Sequence, residues 1–366
     1  MSEKKRILIS GGGTGGHIFP ALSIADACVR KLDAEILFVG AKGRMEMERV
    51  PAAGYKIIGL EVAGFNRKNP FKNFSVLYKL FKSIRQARKI VRDFKPDIAV
   101  GVGGYASGPT LKAAQKAGVP TLLQEQNSYP GVTNKLLAKE ARAICVAYKD
   151  MERYFPAEKI VETGNPIRKM LTENAPSPEK ARESFGLDGS KTTVLAIGGS
   201  LGALSVNEAM AKAVGPLSER GIQVIWQTGK GYIDRAKKAA AGLKGVVVTP
   251  FLTDMASAFS AATLVVSRAG AGTISELELL GKASILVPSP NVAEDHQTKN
   301  AKALSTRGAA VLVTDSDCRE KLLDTILELI DDPERLKEMS LKIKELEMPD
   351  SDGKIVAEIE RIISEN

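Results

Sequence analysis

Short apolar runs alternate with stretches of helical periodicity along most of the 366-residue chain. This alternation predicts parallel β-sheets covered by helices. Loop residues interrupt the rhythm at 164–166 and 173–178, and it then resumes. The predicted strands are residues 7–10, 35–39, 56–60, 97–100, 120–124, 143–146 and 160–163, and then 193–197, 223–227, 245–249, 263–267, 283–288 and 309–313.

The interruption divides the chain into two predicted domains, residues 1–164 and 165–349, with a hinge near 164–168. A final helical pattern, residues 350–366, is expected to pack back on the first domain. We therefore predict an α/β fold class with two Rossmann-like domains facing each other across a cleft. Ligands of such folds bind at the carboxyl ends of the parallel strands.

Glycine-rich turns follow several predicted strands. The first strand runs into residues 10–17 (SGGGTGGH), ahead of a helical pattern that starts near Pro20. Similar turns occupy residues 198–203 and 101–109. Glycines allow positive φ and close backbone approach, and a following helix N-terminus offers N–H groups, so these turns suit phosphate. A non-catalytic dinucleotide-binding module would need an acidic residue near the end of the second strand. Residues 40–43 (GAKG) disfavour that alternative.

The basic residues of the chain are clustered. The net charge is +9, and segment 65–95 alone is strongly basic, with apolar residues interleaved at helical spacing. Such a helix favours an anionic membrane surface over simple packing on the sheet. Nucleic acid is disfavoured because the basic residues lie in one segment with no recognised binding module. The residues predicted to face the membrane are Phe71, Lys72, Phe74, Lys79, Phe81, Lys82 and Arg85.

Bulk composition narrows the class of protein further. No apolar run approaches the roughly 18 residues of a membrane span, and the N-terminal apolar run is too short for a signal peptide. Cys28, Cys145 and Cys318 are widely separated and lack metal-ligand spacing. Their pattern fits reduced thiols of a cytoplasmic protein.

Two residues of the first half compete as general base. His17 closes the first glycine turn, and a histidine can take a proton near neutral pH. Glu125 lies in residues 124–127 (QEQN), where the fifth strand ends. The residue pattern leaves the choice between them open. Asn127 can bind a sugar hydroxyl.

The second half carries a denser polar group in residues 267–276 (SRAGAGTISE) and 291–300. The first of these opens a helix whose N–H groups at residues 271–273 should face the predicted cleft. Glu276 can accept hydrogen bonds from both ribose hydroxyls, although it would also suit the helix dipole. Arg168, near the hinge, could bind a diphosphate. The triplets at 315–317 and 350–352 (both DSD) precede helical patterns and are interpreted as helix caps rather than metal sites.

Taken together, these motifs resemble the MurG family of bacterial N-acetylglucosaminyltransferases. The resemblance runs in order from residue 7 to residue 301. It rests on residues 12–17 with Pro20, 103–105 with 107–109, 124–127, 164–166 with Arg168, 198–200 with 202–203, 267–270 with Thr273 and Glu276, and Gln297 with 300–301.

The resemblance implies a glycosyltransferase B-type fold and an inverting hexosyltransferase. The implied donor is UDP-N-acetylglucosamine, and the acceptor is the C4 hydroxyl of undecaprenyl-diphospho-N-acetylmuramoyl-pentapeptide (lipid I). The product, lipid II, is used in peptidoglycan synthesis, and hence in cell-wall biogenesis, cell shape and cell division. The family works at the inner face of the cell membrane as a peripheral protein, and it needs neither a cofactor nor an active-site metal.

The resemblance also implies roles for individual residues. Many family members have a second amide before the position of Gln297, where this chain has His296. The implied contacts are Thr14, Gly15, Gly16, Asn127 and Gln297 with the sugar, Arg168 and Ser200 with the donor diphosphate, Leu252 with the uracil, Ala271, Gly272 and Thr273 with the nucleotide, Glu276 with the ribose, and Gly13, Gly103, Gly104 and Tyr105 with the acceptor diphosphate.

Two further enzyme classes remain as alternatives on the same fold. A UDP-sugar:diacylglycerol glycosyltransferase would be expected to differ at residues 103–109 and 124–127. A nucleotide-sugar 2-epimerase would lack the basic aromatic segment 65–95.

Overall fold

The computed structural model describes residues 4–62, 73–167, 171, 175–199 and 201–366, with residues 73–80 and 293 described by their backbone alone. The chain forms two compact units. Unit 1 comprises residues 1–168 and 348–366, and unit 2 comprises residues 169–347. The sequence placed this division between residues 164 and 165.

Unit 1 contains a seven-stranded parallel sheet in the order β3-β2-β1-β4-β5-β6-β7. At its centre, Ile7, Leu8 and Ile9 are fully buried. Such a continuous apolar run is typical of a strand covered on both faces. The strands are β1 (Arg6–Ser10), β2 (Glu35–Ala41), β3 (Lys56–Leu60), β4 (Ile98–Gly101), β5 (Thr121–Glu125), β6 (Ala143–Val146) and β7 (Ile160–Glu162).

The helices of unit 1 connect these strands. Ile24, Ala25 and Cys28 on the first helix pack with Ile7 and Ile9 of β1, so that helix covers the middle of the sheet. The helices before the change of unit are α1 (Gly15–Leu32), α2 (Glu46–Ala52), α3 (Asn73–Phe94), α4 (Ser107–Lys116) and α5 (Val132–Leu137).

Unit 2 repeats the architecture with a six-stranded parallel sheet in the order β10-β9-β8-β11-β12-β13. Its core surrounds Trp226, which is fully buried and donates from its indole nitrogen to Asn207 at 3.0 Å. The strands are β8 (Thr193–Ile197), β9 (Gln223–Gln227), β10 (Val246–Thr249), β11 (Leu264–Ser267), β12 (Ser284–Leu286) and β13 (Val311–Leu312). The helices are α6 (Pro178–Ser184), α7 (Leu204–Glu219), α8 (Ile233–Ala239), α9 (Met255–Ala261), α10 (Ala271–Leu280), α11 (His296–Ser305), α12 (Cys318–Ile330) and α13 (Pro333–Lys344).

The last helix, α14 (Ser351–Ser364), belongs to unit 1. Its apolar side chains Ile355, Val356 and Ile359 are buried in the same core cluster as α1. Arg30 of α1 also donates to Asp352 at 3.0 Å.

The two parallel-sheet units confirm the predicted α/β fold class, and two local expectations need correction. Helix α1 begins at Gly15 rather than near Pro20, because the N–H groups of His17 and Ile18 already bond to the Thr14 carbonyl. Asp317 and Asp350 occupy cap positions of α12 and α14, but neither side chain caps its helix.

Candidate active site

The first glycine turn lies at the carboxyl end of β1, in the middle of the unit 1 sheet. Thr14 is the N-cap of α1, so Gly15 and Gly16 fall in its first turn. Backbone N–H groups of a first helical turn have no acceptor within the helix. The sequence motif therefore places hydrogen-bond donors where β1 ends.

The turn after β4 packs directly against this first turn. A Cβ on Gly104 would lie 2.4 Å from the Gly12 carbonyl oxygen, and a Cβ on Gly103 would lie 2.9 Å from Nε2 of His17. Both glycines also have positive φ, of 87° and 92° respectively. The structure thus brings His17 and the Gly103–Gly104 pair together, and Tyr105 follows with 58% of its surface exposed.

The ring of His17 folds back onto its own turn. Its Nδ1 lies 3.0 Å from the Gly12 carbonyl oxygen and 3.5 Å from the Thr14 hydroxyl. A carbonyl can only accept a hydrogen bond, so the geometry assigns the neutral-ring proton to Nδ1 and the lone pair to Nε2.

A residue that was not predicted from the sequence holds this turn by a hydrogen bond to its backbone. Glu46, the first residue of α2, is fully buried. One carboxylate oxygen accepts from the Gly13 N–H at 2.9 Å, and the other accepts from the Ala41 N–H at 2.9 Å. A dinucleotide-binding turn would need an acidic residue near the end of β2 to bind a ribose, and residues 40–43 supply none. The acid that reaches the turn comes from the next helix and binds backbone instead.

Glu125 is also a buried carboxylate, with 2% of its surface exposed. Its two oxygens accept from the Asn127 and Gly131 backbone N–H groups, both at 3.1 Å, and from the Asn127 and Asn134 side-chain amides at 3.2 and 2.9 Å. Burial raises the pKa of Glu125, and the four hydrogen bonds, which lower it, do not offset that rise. Both of its oxygens are thus engaged in fixing the loop after β5.

Neighbouring amides connect that loop to the rest of the site. Gln126 donates to the Val102 carbonyl at 3.0 Å, which joins the loops after β5 and β4. Gln124 donates to the Asn165 side chain at 2.9 Å, and Asn165 donates to the Gln126 carbonyl at 3.1 Å. The polar run 124–127 and the motif 164–166 therefore form one hydrogen-bonded network.

In unit 2, the turn at 198–203 is held by Gln227, which the sequence analysis did not single out. The Gln227 side-chain amide donates to the carbonyls of Gly199 and Pro250, at 3.0 and 3.1 Å. It thereby ties the glycine turn to the segment containing Leu252, which is buried. A Cβ on Gly202 would lie 2.0 Å from the Thr228 carbonyl oxygen, so this turn is also closely packed.

The N-terminus of α10 lies at the carboxyl end of β11, as predicted. Gly270 is the N-cap, and its carbonyl accepts from Ile274 at 3.0 Å. The backbone N–H groups of residues 271–273 belong to the first turn of α10. Glu276 is half-buried one turn in, and the amide oxygen of Gln297 accepts from the Ser289 N–H at 2.8 Å.

Arg268 is held in one position by polar groups of unit 2. Its guanidinium contacts the Asp315 carboxylate at 2.5 Å, the Ser205 hydroxyl at 3.1 Å and the Val287 carbonyl at 3.1 Å. Burial raises the pKa of Asp315, but hydrogen bonds from Ser205 and Arg268 outweigh it and leave that pKa lowered. Asp315, interpreted from sequence as part of a helix cap, is an ion-pair partner instead.

The described part of α3 shows one buried side and one basic side. Ala87, Ile90 and Val91 are buried against the sheet, whereas Phe81 has 73% of its surface exposed. Lys82 donates to Glu61 at 3.0 Å, and Arg85 is exposed. Among the described residues, no helix is long and apolar enough to cross a membrane.

Several residues predicted from sequence fall outside the described residues. They are Arg168, Ser200, Phe71 and Lys72, together with the side chains of Phe74 and Lys79.

Comparison with known proteins finds two family models that together cover most of the chain. The glycosyltransferase family 28 N-terminal domain matches residues 7–146, and the family 28 C-terminal domain matches residues 193–355. Two relatives are named UDP-N-acetylglucosamine–N-acetylmuramyl-(pentapeptide) pyrophosphoryl-undecaprenol N-acetylglucosamine transferase. One, from Phocaeicola vulgatus, is 59% identical, covering 98% of this chain and 96% of its own length. The other, from Bacteroides thetaiotaomicron, is 57% identical over 98% of this chain and 97% of its own length.

The fold has a matching solved structure. The crystal structure of Acinetobacter baumannii MurG superposes with a TM-score of 0.79 at 28% identity, covering 98% of this chain and 99% of that one.

Proposed function

The chain belongs to glycosyltransferase family 28 and, within it, to the pyrophosphoryl-undecaprenol N-acetylglucosamine transferases, and from this premise we propose that it converts lipid I to lipid II. The donor is UDP-N-acetylglucosamine, and the acceptor is the C4 hydroxyl of the N-acetylmuramoyl sugar. The observation that carries the proposal is the 57–59% sequence identity, over 98% of this chain, to two transferases of that name. The two glycine turns and their supporting groups give it a chemical basis.

Unit 2 is proposed to bind the UDP part of the donor. The first-turn N–H groups of α10 suit a diphosphate, because a helix N-terminus combines donors with a positive partial charge. Glu276 would accept from the ribose hydroxyls, and Gln297 would read the sugar. Arg168 and Ser200 are assigned to the diphosphate, and Leu252 to the uracil, by the family resemblance alone.

Unit 1 is proposed to bind the acceptor and to supply the base. The acceptor oxygen attacks C1 of N-acetylglucosamine from the face opposite the leaving group, so the new O4–C1 bond forms with inversion. The bond from C1 to the phosphate oxygen breaks, and its electron pair leaves on UDP. The hydroxyl proton passes to Nε2 of His17.

The geometry favours His17 over Glu125 as the base. Nδ1 of His17 faces a carbonyl, which leaves the lone pair on Nε2. The Glu125 oxygens are buried and accept four hydrogen bonds. If Glu125 took the proton, it would lose acceptors that hold the loop after β5. We therefore assign Glu125 the role of positioning Asn127.

The acceptor diphosphate is assigned to Gly13, Gly103, Gly104 and Tyr105. Since the Gly13 N–H already donates to Glu46, Gly13 would contribute close backbone approach rather than a hydrogen bond. The N–H groups of the turn after β4 are then the donors proposed for phosphate.

We further propose that the chain acts as a peripheral protein on the inner face of the cell membrane through α3. Phe81 is exposed beside Lys82 and Arg85. Farther along the helix lies a groove of about 700 Å³ whose lining includes both basic and apolar residues. It is lined by Arg88, Val91, Arg92, Lys95, Pro96, Ala113, Lys116, Ala117 and Val119. Apolar insertion together with basic attraction provides the two signals that peripheral binding requires.

The reaction is tested by transfer of labelled N-acetylglucosamine from its UDP derivative to a lipid I analogue, with diacylglycerol as the competing acceptor. We expect label in the lipid I product alone, with the same rate in EDTA. Label in diacylglycerol and none in lipid I would replace the proposal with the glycolipid alternative.

The membrane surface is tested by vesicle sedimentation with Phe81→Ser, using Leu341→Ser as the matched control. Leu341 is an exposed apolar side chain of α13 in unit 2, with 60% of its surface exposed. Losing a buried phenyl group costs about 1.5–3 kcal/mol, so we expect binding to anionic vesicles to weaken about tenfold or more for Phe81→Ser only. Equal binding by the two variants would reject α3 as the membrane-contacting element.

A further inference from the structure

We propose that Glu46 is a positioning residue for catalysis, which acts through the Gly12–Gly13 peptide group to fix the proton of His17 on Nδ1. The inference rests on the proposed function because it takes His17 as the base. Nothing in the family resemblance assigns Glu46 a role.

The argument starts from a single peptide group. The carbonyl oxygen of Gly12 and the N–H of Gly13 belong to the same planar unit, and in a trans peptide they point in opposite directions. The N–H end donates to Glu46 at 2.9 Å, and the carbonyl end lies 3.0 Å from Nδ1 of His17. The carboxylate and the imidazole are therefore joined by one rigid group with a hydrogen bond at each end.

The carboxylate is itself fixed to the sheet. Its second oxygen accepts from the Ala41 N–H, where β2 ends. A Cβ on Gly12 would lie 2.2 Å from a Glu46 carboxylate oxygen, and a Cβ on Gly40 would lie 2.6 Å from Cγ of Glu46. Glycine at these two positions therefore creates the space that the side chain fills.

Both partners of Glu46 are donors, so only a side chain with two acceptor atoms satisfies them. Among the described residues, no lysine or arginine pairs with this fully buried carboxylate. A carboxylate acceptor polarises the peptide, which makes the Gly12 carbonyl a stronger acceptor for Nδ1–H.

The consequence for His17 is a preferred tautomer. With Nδ1 protonated, the lone pair that takes the acceptor proton lies on Nε2, beside Gly103. The Thr14 hydroxyl can donate or accept, so it is compatible with either tautomer. The Gly12 carbonyl can only accept, and it lies closer to Nδ1 than the hydroxyl does. Glu46 therefore controls the base without touching it.

The test reads the tautomer directly from the imidazole nitrogens by NMR of ¹⁵N-histidine-labelled protein. The chain has two histidines, so the signals of His17 are assigned by comparison with His296→Gln. In the wild type above the imidazole titration, we expect Nδ1 of His17 to be protonated and Nε2 to be unprotonated. The opposite tautomer in the wild type would overturn the proposal, and this reading requires neither a variant nor activity.

The variant Glu46→Gln sharpens the test, with Glu48→Gln as its matched control. Glu48 is an exposed residue of the same helix. A glutamine can accept from only one of the two N–H groups, so we expect the His17 tautomers to mix. The expected loss in kcat is about tenfold, as when a neutral hydrogen bond replaces a charge-assisted one, with the donor KM unchanged. Glu48→Gln should alter neither reading.

The outcomes separate positioning from mere stability. A Glu46→Gln protein that melts earlier but keeps the wild-type tautomer and kcat would show a purely structural role and overturn the proposal. Failure of the base assignment looks different. In that case His17→Ala would leave kcat unchanged, while the wild-type tautomer would still be the one expected here.

Discussion

The two glycine turns that follow β1 and β8 share a sequence pattern but are supported by groups of opposite polarity. In unit 1 a carboxylate, Glu46, accepts from a backbone N–H of the turn. In unit 2 an amide, Gln227, donates to a backbone carbonyl of the turn. The helices that follow the two turns also begin at different points. Helix α1 begins inside its turn, at Gly15, whereas α7 begins after its turn, at Leu204.

This difference indicates why one turn suits a base and the other suits an anion. Where the support accepts from an N–H, the carbonyl of the same peptide is left to bind the Nδ1 proton of His17. In unit 2 the support donates to carbonyls and brings no negative charge to the turn, which suits a phosphate, although the Gly202 N–H already donates to the Gly199 carbonyl. The central claim is therefore a division of roles, in which the unit 1 turn carries the base and the unit 2 turn binds the donor diphosphate.

The largest effect is expected from removing the proposed base. General-base catalysis contributes about 10²–10⁴ in rate, so His17→Ala should lower kcat by that factor. The donor KM should change little, because the UDP part of the donor is assigned to unit 2. Steady-state kinetics with both substrates varied measures the two parameters separately. A raised donor KM with an unchanged kcat would show that His17 binds the donor and is not the base.

The next largest effect is expected on donor binding. Glu276→Ala should raise the donor KM about 10- to 100-fold, because hydrogen bonds to a charged acceptor contribute about 1.5–3 kcal/mol. Glu278 on the same helix is the control. Burial raises the pKa of Glu278 to about 8, despite Arg307, which lowers it. At neutral pH Glu278→Gln therefore resembles the protonated wild type and should keep the donor KM. An unchanged KM in Glu276→Ala would remove the ribose role.

The smallest effect tests the polarity of the unit 2 turn. Gln227→Glu places a carboxylate against the carbonyls of Gly199 and Pro250, which should raise the donor KM about tenfold and lower stability by about 1–3 kcal/mol. The control is Gln223→Glu, at the other end of β9. Gln223 donates to the Asp188 carbonyl at 2.9 Å, so stability should fall comparably while the donor KM stays constant. Equal KM values in the two variants would contradict the claim.

The sequence predicted the fold well because periodicity and turn chemistry are local. The strands of both sheets follow from buried apolar runs such as Ile7–Ile9, and the start of α10 follows from the glycines before it. The start of α1 was placed too late because Gly15 and Gly16 have poor intrinsic helix propensity. Thr14 overrides that propensity, since its carbonyl accepts from the first turn.

The supporting residues could not be predicted because their partners are backbone groups distant in sequence. Glu46 reaches Gly13, and Gln227 reaches Gly199, and no spacing rule connects either pair. Asp315 was interpreted as part of a cap because a helix follows it, whereas the fold brings Arg268 to it. Glu125 was identified as a candidate base from its place in the polar run after β5, and the four hydrogen bonds that its carboxylate accepts could not be read from that position.

The most direct test of the division of roles is backbone hydrogen–deuterium exchange with and without UDP, which lacks the sugar. The account predicts slower exchange at residues 198–204 and 271–274 and no change at residues 10–17. Protection of residues 10–17 by UDP, equal to or greater than that of the unit 2 segments, would contradict it.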